Sequence, residues 1–410
     1  MLARLGALLA GGFSGCTGVE RRKPDAPRAP QLPREFRGAW IAAVANIDWP
    51  SRPGLTSEAQ QDEVRQLVAT ARQVGLNALI VQVRAAADAL YASPLEPWSE
   101  YLTGEQGRAP RPFYDPLAFW IAEAHRAGLE LHAWFNPYRA RHSSSHSPLA
   151  ANHVAVTRPG IVKRYGDFLW MDPGEPAAAD RSLEVILDVV RRYDVDGVHI
   201  DDYFYPYPVK GENGEDLPFP DDASWYAYLT SGGRLARADW RRANVDAFVE
   251  RLYREVHREN DGIRVGVSPF GIGRPDRRPP GVAGFSQYDA LYANVERWLE
   301  NGWMDYLVPQ LYWKSDSPGQ PFEVLLEYWR SQNPRGVDIW PGLFTSRIDA
   351  SENSWTPEEI VAQVAAARAR GVNGHVHFSM TAIAQNRRGI AERLRAAYGE
   401  RALVPARRHA

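Results

Sequence analysis

Short apolar runs alternate with amphipathic stretches along most of the chain, between residues 36 and 398. The apolar runs have the length of buried strands, and the stretches between them repeat apolar positions at helical spacing. This alternation predicts successive βα units around a parallel sheet. We predict eight strands, over residues 38–44, 78–83, 129–135, 197–203, 264–270, 306–312, 338–344 and 374–380.

The amphipathic stretches predict a helix after each strand, over residues 57–74, 116–127, 181–193, 238–259, 290–301, 322–331, 357–370 and 387–398. Eight such units close into an α/β fold, a (β/α)8 or TIM barrel, in which active sites lie at the carboxyl ends of the strands. An open doubly wound sheet is the alternative, but no glycine-rich phosphate loop follows the first strand. Two long inserts, 84–115 after strand two and 136–180 after strand three, are expected to form a substrate cleft.

The first 35 residues do not follow this pattern. Residues 1–15 combine an early Arg4, an apolar run over 5–10 and small residues directly before Cys16, as in a secretory signal peptide, and residues 13–16 resemble a lipobox in which the cysteine is lipidated. Residues 16–35 are rich in proline and arginine, which predicts an extended, lipid-anchored tether. The predicted organisation is therefore a signal peptide (1–15), the tether (16–35), a (β/α)8 barrel (36–398) and a tail (399–410).

Composition narrows the possible partners. The 48 basic and 50 acidic side chains leave a net charge of −2, which argues against nucleic acid as a partner. No apolar run approaches the roughly 20 residues of a membrane-spanning helix, so the membrane is expected to be reached through the lipid anchor only. With the single cysteine Cys16, a disulfide within the chain and a cysteine-based metal site are excluded. The 14 Trp, 18 Tyr and 14 Phe supply more flat apolar surface than a core of this size requires.

Acids, amides, histidines and aromatic residues gather at the predicted strand ends. This mixture suits a polyhydroxylated ligand, because aromatic rings stack on the C–H faces of sugars while carboxylates, amides and imidazoles bind hydroxyl groups. The candidate substrate-binding residues are Trp40, Asn46, Asp48, Arg84, Trp134, Asn136, His199, Tyr203, Gln310, Tyr312, Trp313 and His377.

Ten ordered motifs carry a family resemblance: RGAW, NIDWP, QVR, DALY, EPWS, FNPYR, DGVHIDDYFYP, PFG, PQLYW and HFS. In this order they resemble the family ten glycosyl-hydrolase-like lipoproteins of bacteria, over residues 36–398. The resemblance implies a TIM barrel in the cell envelope, on the periplasmic face of the outer membrane, that hydrolyses the glycan strands of peptidoglycan. We expect a monomer that needs no cofactor.

Hydrolysis of a glycosidic bond commonly takes two carboxyl groups. Asp201 is the first candidate, because strand alternation puts it on the same face as His199 while Asp202 takes the other face. Strands five to eight end without an acid, so the second carboxyl group is expected in the loop after strand two. Glu96 is preferred as the acid over Asp88, because aromatic neighbours favour the neutral form of a carboxyl group.

Other assignments stay open at the level of sequence. Asp48 is a weaker candidate for the second carboxyl group, and Asp202 or Asp88 is the alternative to Asp201. A metal-dependent hydrolase on the same barrel and a catalytically silent glycan-binding lipoprotein are the alternative functions. The histidines behind the metal alternative are His132, His199, His375 and His377, whose spacing is not that of a usual metallohydrolase. The sequence does not fix whether the reaction retains or inverts the anomeric configuration, nor which linkage is cut.

Overall fold

Parallel strands form the centre of the structure, a computed structural model that describes residues 32–407. The predicted signal peptide, Cys16 and nearly all of the tether lie outside these residues. The strands are β1 (Phe36–Ile41), β2 (Ala78–Arg84), β3 (Glu130–Phe135), β4 (Arg139–Arg141), β5 (Val162–Tyr165), β6 (Phe168–Met171), β7 (Gly197–Ile200), β8 (Arg264–Val267), β9 (Tyr306–Leu307), β10 (Asp338–Ile339), β11 (Gly342–Leu343) and β12 (Gly374–His377).

Nine of these strands make one parallel sheet in the order β10-β9-β8-β7-β3-β2-β1-β12-β11. The two strands at its ends, β10 and β11, are halves of one chain segment, 338–343. Gly342 pairs with Val376 on one side and forms a parallel bridge with Gln310 on the other, and its amide donates to the carbonyl oxygen of Pro309 at 2.9 Å. The sheet therefore closes on itself as a barrel with eight strand positions, and the predicted fold is confirmed.

The later strands are shorter than predicted at their carboxyl ends. Prolines lie near the end of predicted strand five, at Pro269, and in the middle of predicted strands six and seven, at Pro309 and Pro341. A proline has no N–H to donate to the ladder, so the backbone leaves regular pairing near each of these positions. The segments beyond them form loops on the face of the barrel where the strands end.

The helices surround the barrel. They are α1 (Ser57–Val74), α2 (Glu100–Thr103), α3 (Pro116–Ala127), α4 (Val154–Thr157), α5 (Pro176–Arg192), α6 (Asp222–Thr230), α7 (Arg237–Glu259), α8 (Gln287–Ala290), α9 (Val295–Asn301), α10 (Phe322–Ser331), α11 (Pro357–Ala369), α12 (Met380–Ala384) and α13 (Ile390–Tyr398). The predicted bounds of α1, α3 and α10 agree with the structure. Thr56 and Asp115 cap α1 and α3, accepting hydrogen bonds from Ala59 and Ala118. Within the described part of the chain, no helix is both long and apolar enough to cross a membrane.

Three long inserts lie on the face where the strands end. The predicted insert after β2 contains α2, and the insert after β3 folds into a three-stranded antiparallel sheet in the order β4-β6-β5. A third insert, after β7, contains α6 and was not predicted as a long loop. These inserts surround the mouth of the barrel.

Candidate active site

A cleft of about 280 Å³ lies at the carboxyl ends of the barrel strands. Its floor comes from residues at or near the ends of β1, β2, β3, β8 and β9, and its walls come from the loops that follow β3, β7 and β12. The lining residues are Trp40, Ala42, Val44, Ala45, Ile47, Gln82, Trp134, Arg139, His142, Asp201, Asp202, Tyr203, Tyr207, Ser268, Gln310, Tyr312 and Phe378.

Asp201 is the most constrained acid of the cleft. The Trp134 indole N–H donates to its Oδ2 at 2.9 Å, and the Asn136 amide donates to both carboxylate oxygens at 3.2 Å. Burial raises the pKa of Asp201 to about 7, against the lowering effect of Arg139, and the charge of Asp202 adds to the rise. Asp201 therefore exchanges a proton near neutral pH.

Asp202 lies in the same cleft although strand alternation predicted the opposite face. Strand β7 ends at Ile200, so the backbone at Asp202 is no longer held in the pleat. The Tyr207 hydroxyl donates to Asp202 Oδ2, and Gln310 forms a second side-chain hydrogen bond with the carboxylate. Burial raises the pKa of Asp202, while these two hydrogen bonds lower it. Among the described residues, Asp201 and Asp202 are the acids that line the cleft.

Arg139 supplies positive charge beside the two aspartates and was not among the predicted site residues. It begins β4, two residues after Pro137, where the sequence pattern no longer indicated a barrel strand. Its Nε donates to the Ala85 carbonyl oxygen at 2.9 Å, and its guanidinium group lies 4.9 Å from the centre of the Tyr203 ring. Arg139 lowers the pKa of both aspartates. The FNPYR motif contained this residue, but only the folded insert brings it back over the strand ends.

His199 lies below the cleft, inside the barrel, and shares a face with Asp201 as predicted. Its Nε2 accepts from the Trp40 indole at 3.2 Å and lies 2.9 Å from Ser268 Oγ, so in the neutral ring Nδ1 carries the proton. Burial lowers the pKa of His199 well below its usual value, because the charged form is poorly solvated there. Its Nδ1 lies 3.1 Å from the Tyr306 hydroxyl.

The hydrogen bonds continue from Tyr306 to the opposite end of the barrel. The Tyr306 hydroxyl lies 2.7 Å from His132 Nδ1, and His132 Nε2 lies 3.1 Å from Glu130 Oε2. Burial alone would raise the pKa of Glu130, but the hydrogen bond from His132 and the nearby positive charges together outweigh it, and the pKa is lowered. Glycines make room for the rings: a Cβ on Gly197 would lie 2.4 Å from His132 Nδ1, and one on Gly266 1.9 Å from Tyr306 Cζ. We call these five linked side chains the interior chain: Ser268, His199, Tyr306, His132 and Glu130.

The structure brings together most of the predicted binding residues. Those that line the cleft are Trp40, Trp134, Tyr203, Gln310 and Tyr312. Asn136 and His199 lie directly behind this lining, Asn136 bonded to Asp201 and His199 bonded to Trp40. Their side chains position groups that face the cleft.

Glu96, the preferred acid in the sequence analysis, lies outside the cleft lining. Arg84 Nε and Nη2 donate to its two carboxylate oxygens at 2.8 and 2.6 Å, and each side chain of the pair is 1% exposed. Arg84 Nη1 also donates to the carbonyl oxygens of Asn136 and Pro137 at 2.6 and 3.1 Å. The expectation that Glu96 and Arg84 reach the pocket is wrong, because they hold the insert after β2 against the end of β3.

Three other predicted residues stabilise loops. Asp88 accepts from the Ala86 amide at 2.9 Å, and burial raises its pKa to about 6. Asp48 accepts from the Ala42 amide at 2.8 Å and from the Ser379 hydroxyl at 2.6 Å. The Asn46 side chain donates to the carbonyl oxygens of Pro50 and Tyr101, each at 2.8 Å. None of Asp88, Asp48 and Asn46 belongs to the cleft lining.

His377 and Trp313 also point elsewhere, so their predicted place in the pocket is wrong. In β12 it is Val376 that faces the barrel interior, so His377 lies on the outer side, where its Nε2 is 2.8 Å from the Tyr398 hydroxyl. The Trp313 ring packs edge-on against Phe270, with ring centres 5.6 Å apart. A strand end has two faces, and residue type alone did not identify the inner one.

Besides Arg139, the sequence did not predict five polar or aromatic residues of the cleft lining: Gln82, His142, Tyr207, Ser268 and Phe378. In His142, Nδ1 accepts a hydrogen bond from the backbone N–H of Ser144 at 3.1 Å, and burial followed by the charge of Arg139 lowers the pKa to about 4. His142 is therefore neutral at pH 7 with its proton on Nε2. Gln82 belongs to the QVR motif at the end of strand two, but the motif alone does not indicate that the amide group faces the cleft.

Comparison with known proteins identifies the family. The model of the family described as "Glycosyl hydrolase-like 10" matches residues 35–357. The chain belongs to the glycosyl hydrolase-like 10 family. Glycosyl hydrolase YngK of Bacillus subtilis (strain 168) is 39% identical over 388 residues, which are 92% of this chain and 74% of that protein. Glycosyl hydrolase DigH of Escherichia coli (strain K12) is 32% identical over 318 residues, 73% of this chain and 70% of that protein.

Solved structures share the fold of this glycosyl hydrolase-like 10 protein. The PgaB (BpsB) glycoside hydrolase domain from Bordetella bronchiseptica superposes with a TM-score of 0.55 at 13% identity, over 89% of this chain and 99% of that one. The catalytic domain of β-amylase from Paenibacillus polymyxa gives a TM-score of 0.56 at 10% identity, over 86% and 94%. At these identities the likeness concerns the fold alone. The family match and the relatives named glycosyl hydrolases support a glycoside hydrolase.

The histidines considered for a metal do not converge in this family member. His132 and His199 lie inside the barrel, both within hydrogen-bond distance of the Tyr306 hydroxyl, whereas His375 and His377 contact Tyr398 on the outer side of β12. Over residues 32–407, no group of three or more His, Cys, Asp or Glu side chains is placed to hold a metal ion. The acids of the cleft are instead held by N–H and O–H donors.

Proposed function

We propose that the protein hydrolyses glycosidic bonds in the glycan strands of peptidoglycan or a related envelope polysaccharide, using Asp201 as the general acid and Asp202 as its anionic partner. The observation that carries this proposal is the pair of consecutive aspartates, each in a different hydrogen-bonding environment, in one aromatic cleft. Two carboxyl groups with different surroundings are the usual means of dividing the acid and anion roles.

Asp201 suits the acid role because its pKa of about 7 leaves a large fraction protonated near neutral pH. Trp134 and Asn136 hold the carboxyl group in one orientation, so a proton on it would be presented to a leaving-group oxygen in a fixed direction. This revises the expectation from sequence, in which Asp201 was the anion and Glu96 the acid.

Asp202 suits the anion role because Tyr207 and Gln310 stabilise its charged form by hydrogen bonds. Arg139 adds a positive charge nearby, which also counteracts the rise in the pKa of Asp202 that burial causes. A carboxylate held in this way stabilises an oxocarbenium-like transition state, either as the nucleophile or as the base that activates water.

A sugar chain suits the walls of the cleft. Trp40, Trp134, Tyr203 and Tyr312 offer aromatic surface, and Gln310, Ser268 and His142 offer polar atoms between them. The sugar C–H faces would lie on the rings while hydroxyl groups bind the polar atoms. The lipoprotein pattern of residues 1–16 supports an envelope polymer as the substrate and the periplasmic face of the outer membrane as the location.

Incubation with purified, peptide-free glycan strands tests the proposal. We expect products shortened by hydrolysis, with and without a chelator, and mass spectrometry should show fragments whose masses add up to the parent strand plus one water for each bond cut. A proton NMR spectrum of the first product anomer then decides between retention and inversion. Binding of the strands without any cleavage would overturn the proposal in favour of a silent glycan-binding protein, and loss of cleavage with the chelator would favour a metal-dependent hydrolase.

A further inference from the structure

The Gln82 side chain forms part of the cleft floor and is fully buried. Its Oε1 accepts hydrogen bonds from the backbone amides of Ala43 at 3.0 Å and Val44 at 2.9 Å. Because both partners are donors, they identify the oxygen of the amide and leave the nitrogen on the other side. The Nε2 atom has no hydrogen-bond partner in the described chain, although it is shielded from solvent.

An unpaired buried N–H group is costly. Such a donor loses its hydrogen bonds to water without gaining another, and the large majority of buried polar side-chain atoms have a partner. Rotation of the amide would not relieve this, because it would point the NH2 group at the amides of Ala43 and Val44. The Nε2 group is therefore a fixed donor on a side chain that lines the cleft, and we expect its acceptor to be an atom of a bound ligand.

The neighbouring lining of the cleft is apolar. Ala42, Val44 and Ala45 line it together with the Trp40 ring. The Trp40 N–H is already used by His199, so Trp40 offers the ligand only its carbon surface. The hydrogen bonds to Gln82 fix the 43–44 backbone, so the donor and the small apolar side chains beside it are held as one unit.

We propose that Gln82 is a specificity-determining residue that binds the carbonyl oxygen of a 2-acetamido group on the sugar, with the acetyl methyl group against Ala42, Val44 and Trp40. A carbonyl oxygen needs only a donor, whereas a hydroxyl group at the same place would also need an acceptor, and the Gln82 oxygen is already occupied. The acetamido N–H would find its acceptor among the cleft carboxylates. This inference rests on the proposed glycan-hydrolase function and names the substituent that the site recognises.

The test compares glycan strands with the same strands after chemical removal of the acetyl groups. For the wild-type enzyme we expect kcat/KM on the N-acetylated strands to be at least about 100-fold higher, because a site built around a hydrogen bond rejects an analogue that lacks it. Gln82→Glu keeps an oxygen that can accept from the amides of Ala43 and Val44, and it replaces the Nε2 donor by a second oxygen. We expect it to lower kcat/KM on N-acetylated strands by about 100-fold and to change that on de-N-acetylated strands by only a few-fold.

Gln363→Glu is a control for destabilisation away from the site, because Gln363 is equally buried but lies in α11, outside the cleft lining, where its Nε2 donates to the Trp313 carbonyl oxygen and to Glu359. It reports the general effect of a carboxyl group at a buried glutamine, and we expect the preference for acetylated strands to stay unchanged. Melting temperatures identify any variant that fails to fold, and the preference of the wild-type enzyme needs no variant. Equal wild-type turnover of both strands, or an equal loss on both in Gln82→Glu, would overturn the inference.

Failure of the proposed function gives a different result. If the wild-type enzyme cleaves neither kind of strand, the hydrolase proposal fails, and calorimetric binding of N-acetylated and de-N-acetylated oligosaccharides decides the role of Gln82 by itself. Tighter binding of the acetylated form that Gln82→Glu removes would then support the subsite, and equal binding of both forms would refute it.

Discussion

Asp201 and Asp202 are neighbours in sequence, yet their surroundings differ. Asp201 is bonded by the Trp134 and Asn136 side chains from β3 and the turn after it, and Asp202 by Tyr207 and Gln310 from later loops. Strand β7 ends at Ile200, so the backbone of both residues lies outside the regular pleat, and their side chains meet different neighbours. Two carboxyl groups with different hydrogen-bond partners within one dipeptide suit a reaction that needs both an acid and an anion.

Asp201→Asn is expected to lower turnover of glycan strands by about 10²–10⁴-fold, the usual contribution of general acid–base catalysis, while strand binding survives. Substrates with a good leaving group should lose less, because such groups depart without protonation. In the wild-type enzyme, kcat should fall as the pH rises through about 7, since the acid must carry its proton. Rates of both substrate types between pH 5 and pH 9 measure this.

Asp88→Asn is the matched control for Asp201→Asn. Asp88 is also a buried carboxyl group with a raised pKa, about 6, but it lies outside the cleft lining. Its replacement should leave the alkaline limb of the pH profile in place. Near-normal turnover by Asp201→Asn on strands with unactivated leaving groups would show that another group is the acid.

At the scale of single residues, sequence predicted some positions and missed others for a physical reason. Alternation along one strand is a local property, so Asp201 and His199 could be placed on a shared face. The partner of Glu96 is a matter of tertiary packing, because Arg84 reaches it across 12 positions of the chain. A charged residue at a strand end can thus form an ion pair with a loop residue instead of binding a ligand.

The insert after β2 is held to the barrel by the pair of Arg84 and Glu96. Their carboxylate and guanidinium groups are both removed from solvent, and Arg84 also binds two carbonyl oxygens of the turn after β3. Asn136 lies in this turn, and its side-chain amide donates a hydrogen bond to Asp201. The pair therefore holds the turn that carries Asn136, and Asn136 binds Asp201, the proposed acid.

Glu96→Gln is expected to destabilise the fold by about 3–5 kcal/mol, because it leaves the Arg84 charge buried without its counter-charge. Folded enzyme should retain glycan turnover within a few-fold, in contrast to Asp201→Asn. Chemical denaturation with activity normalised to folded protein measures both effects. Glu105→Gln is the control from the same insert, since its pair with Arg108 is largely exposed and should contribute little. A large loss of turnover in stable Glu96→Gln enzyme would restore Glu96 as a catalytic group.

Whole elements were predicted better than their ends. Helices α1, α3 and α10 have the predicted bounds because capping residues or prolines mark their starts and the apolar spacing runs through them. Helix α6 was missed because its apolar residues are spread around the helix instead of forming one face, and the small sheet of β4, β5 and β6 was missed because its strands are only three or four residues long.

At the scale of the whole molecule, the barrel was predictable because it needs only the order of its units. Eight alternating strands and helices leave few arrangements that bury every apolar face. The sheet closes through Gly342, and three inserts follow its strands. Both features depend on particular turns, which the alternation of apolar runs and amphipathic stretches does not predict.

The attachment of the molecule to the membrane is predicted from residues 1–16, outside the described structure. Cys16→Ser should leave the melting temperature of the barrel unchanged and move the protein from the membrane fraction to the soluble fraction of the envelope, because it removes only the lipid anchor. Immunoblots of fractionated cells that express either form measure this. An unchanged distribution between the fractions would rule out lipidation at Cys16.

The interior chain also limits how this barrel can change. Its hydrogen bonds all run in one direction, from donor to acceptor. The Trp40 indole, which can only donate, bonds to His199, and the Glu130 carboxylate at the other end can only accept, with Tyr306 and His132 between. Replacing one member leaves a hydrogen-bonding group of its neighbour without a partner in the buried interior. Single substitutions should therefore each destabilise the fold, whereas a second substitution at the neighbour should partly restore stability. Over generations these positions would therefore be exchanged together or not at all.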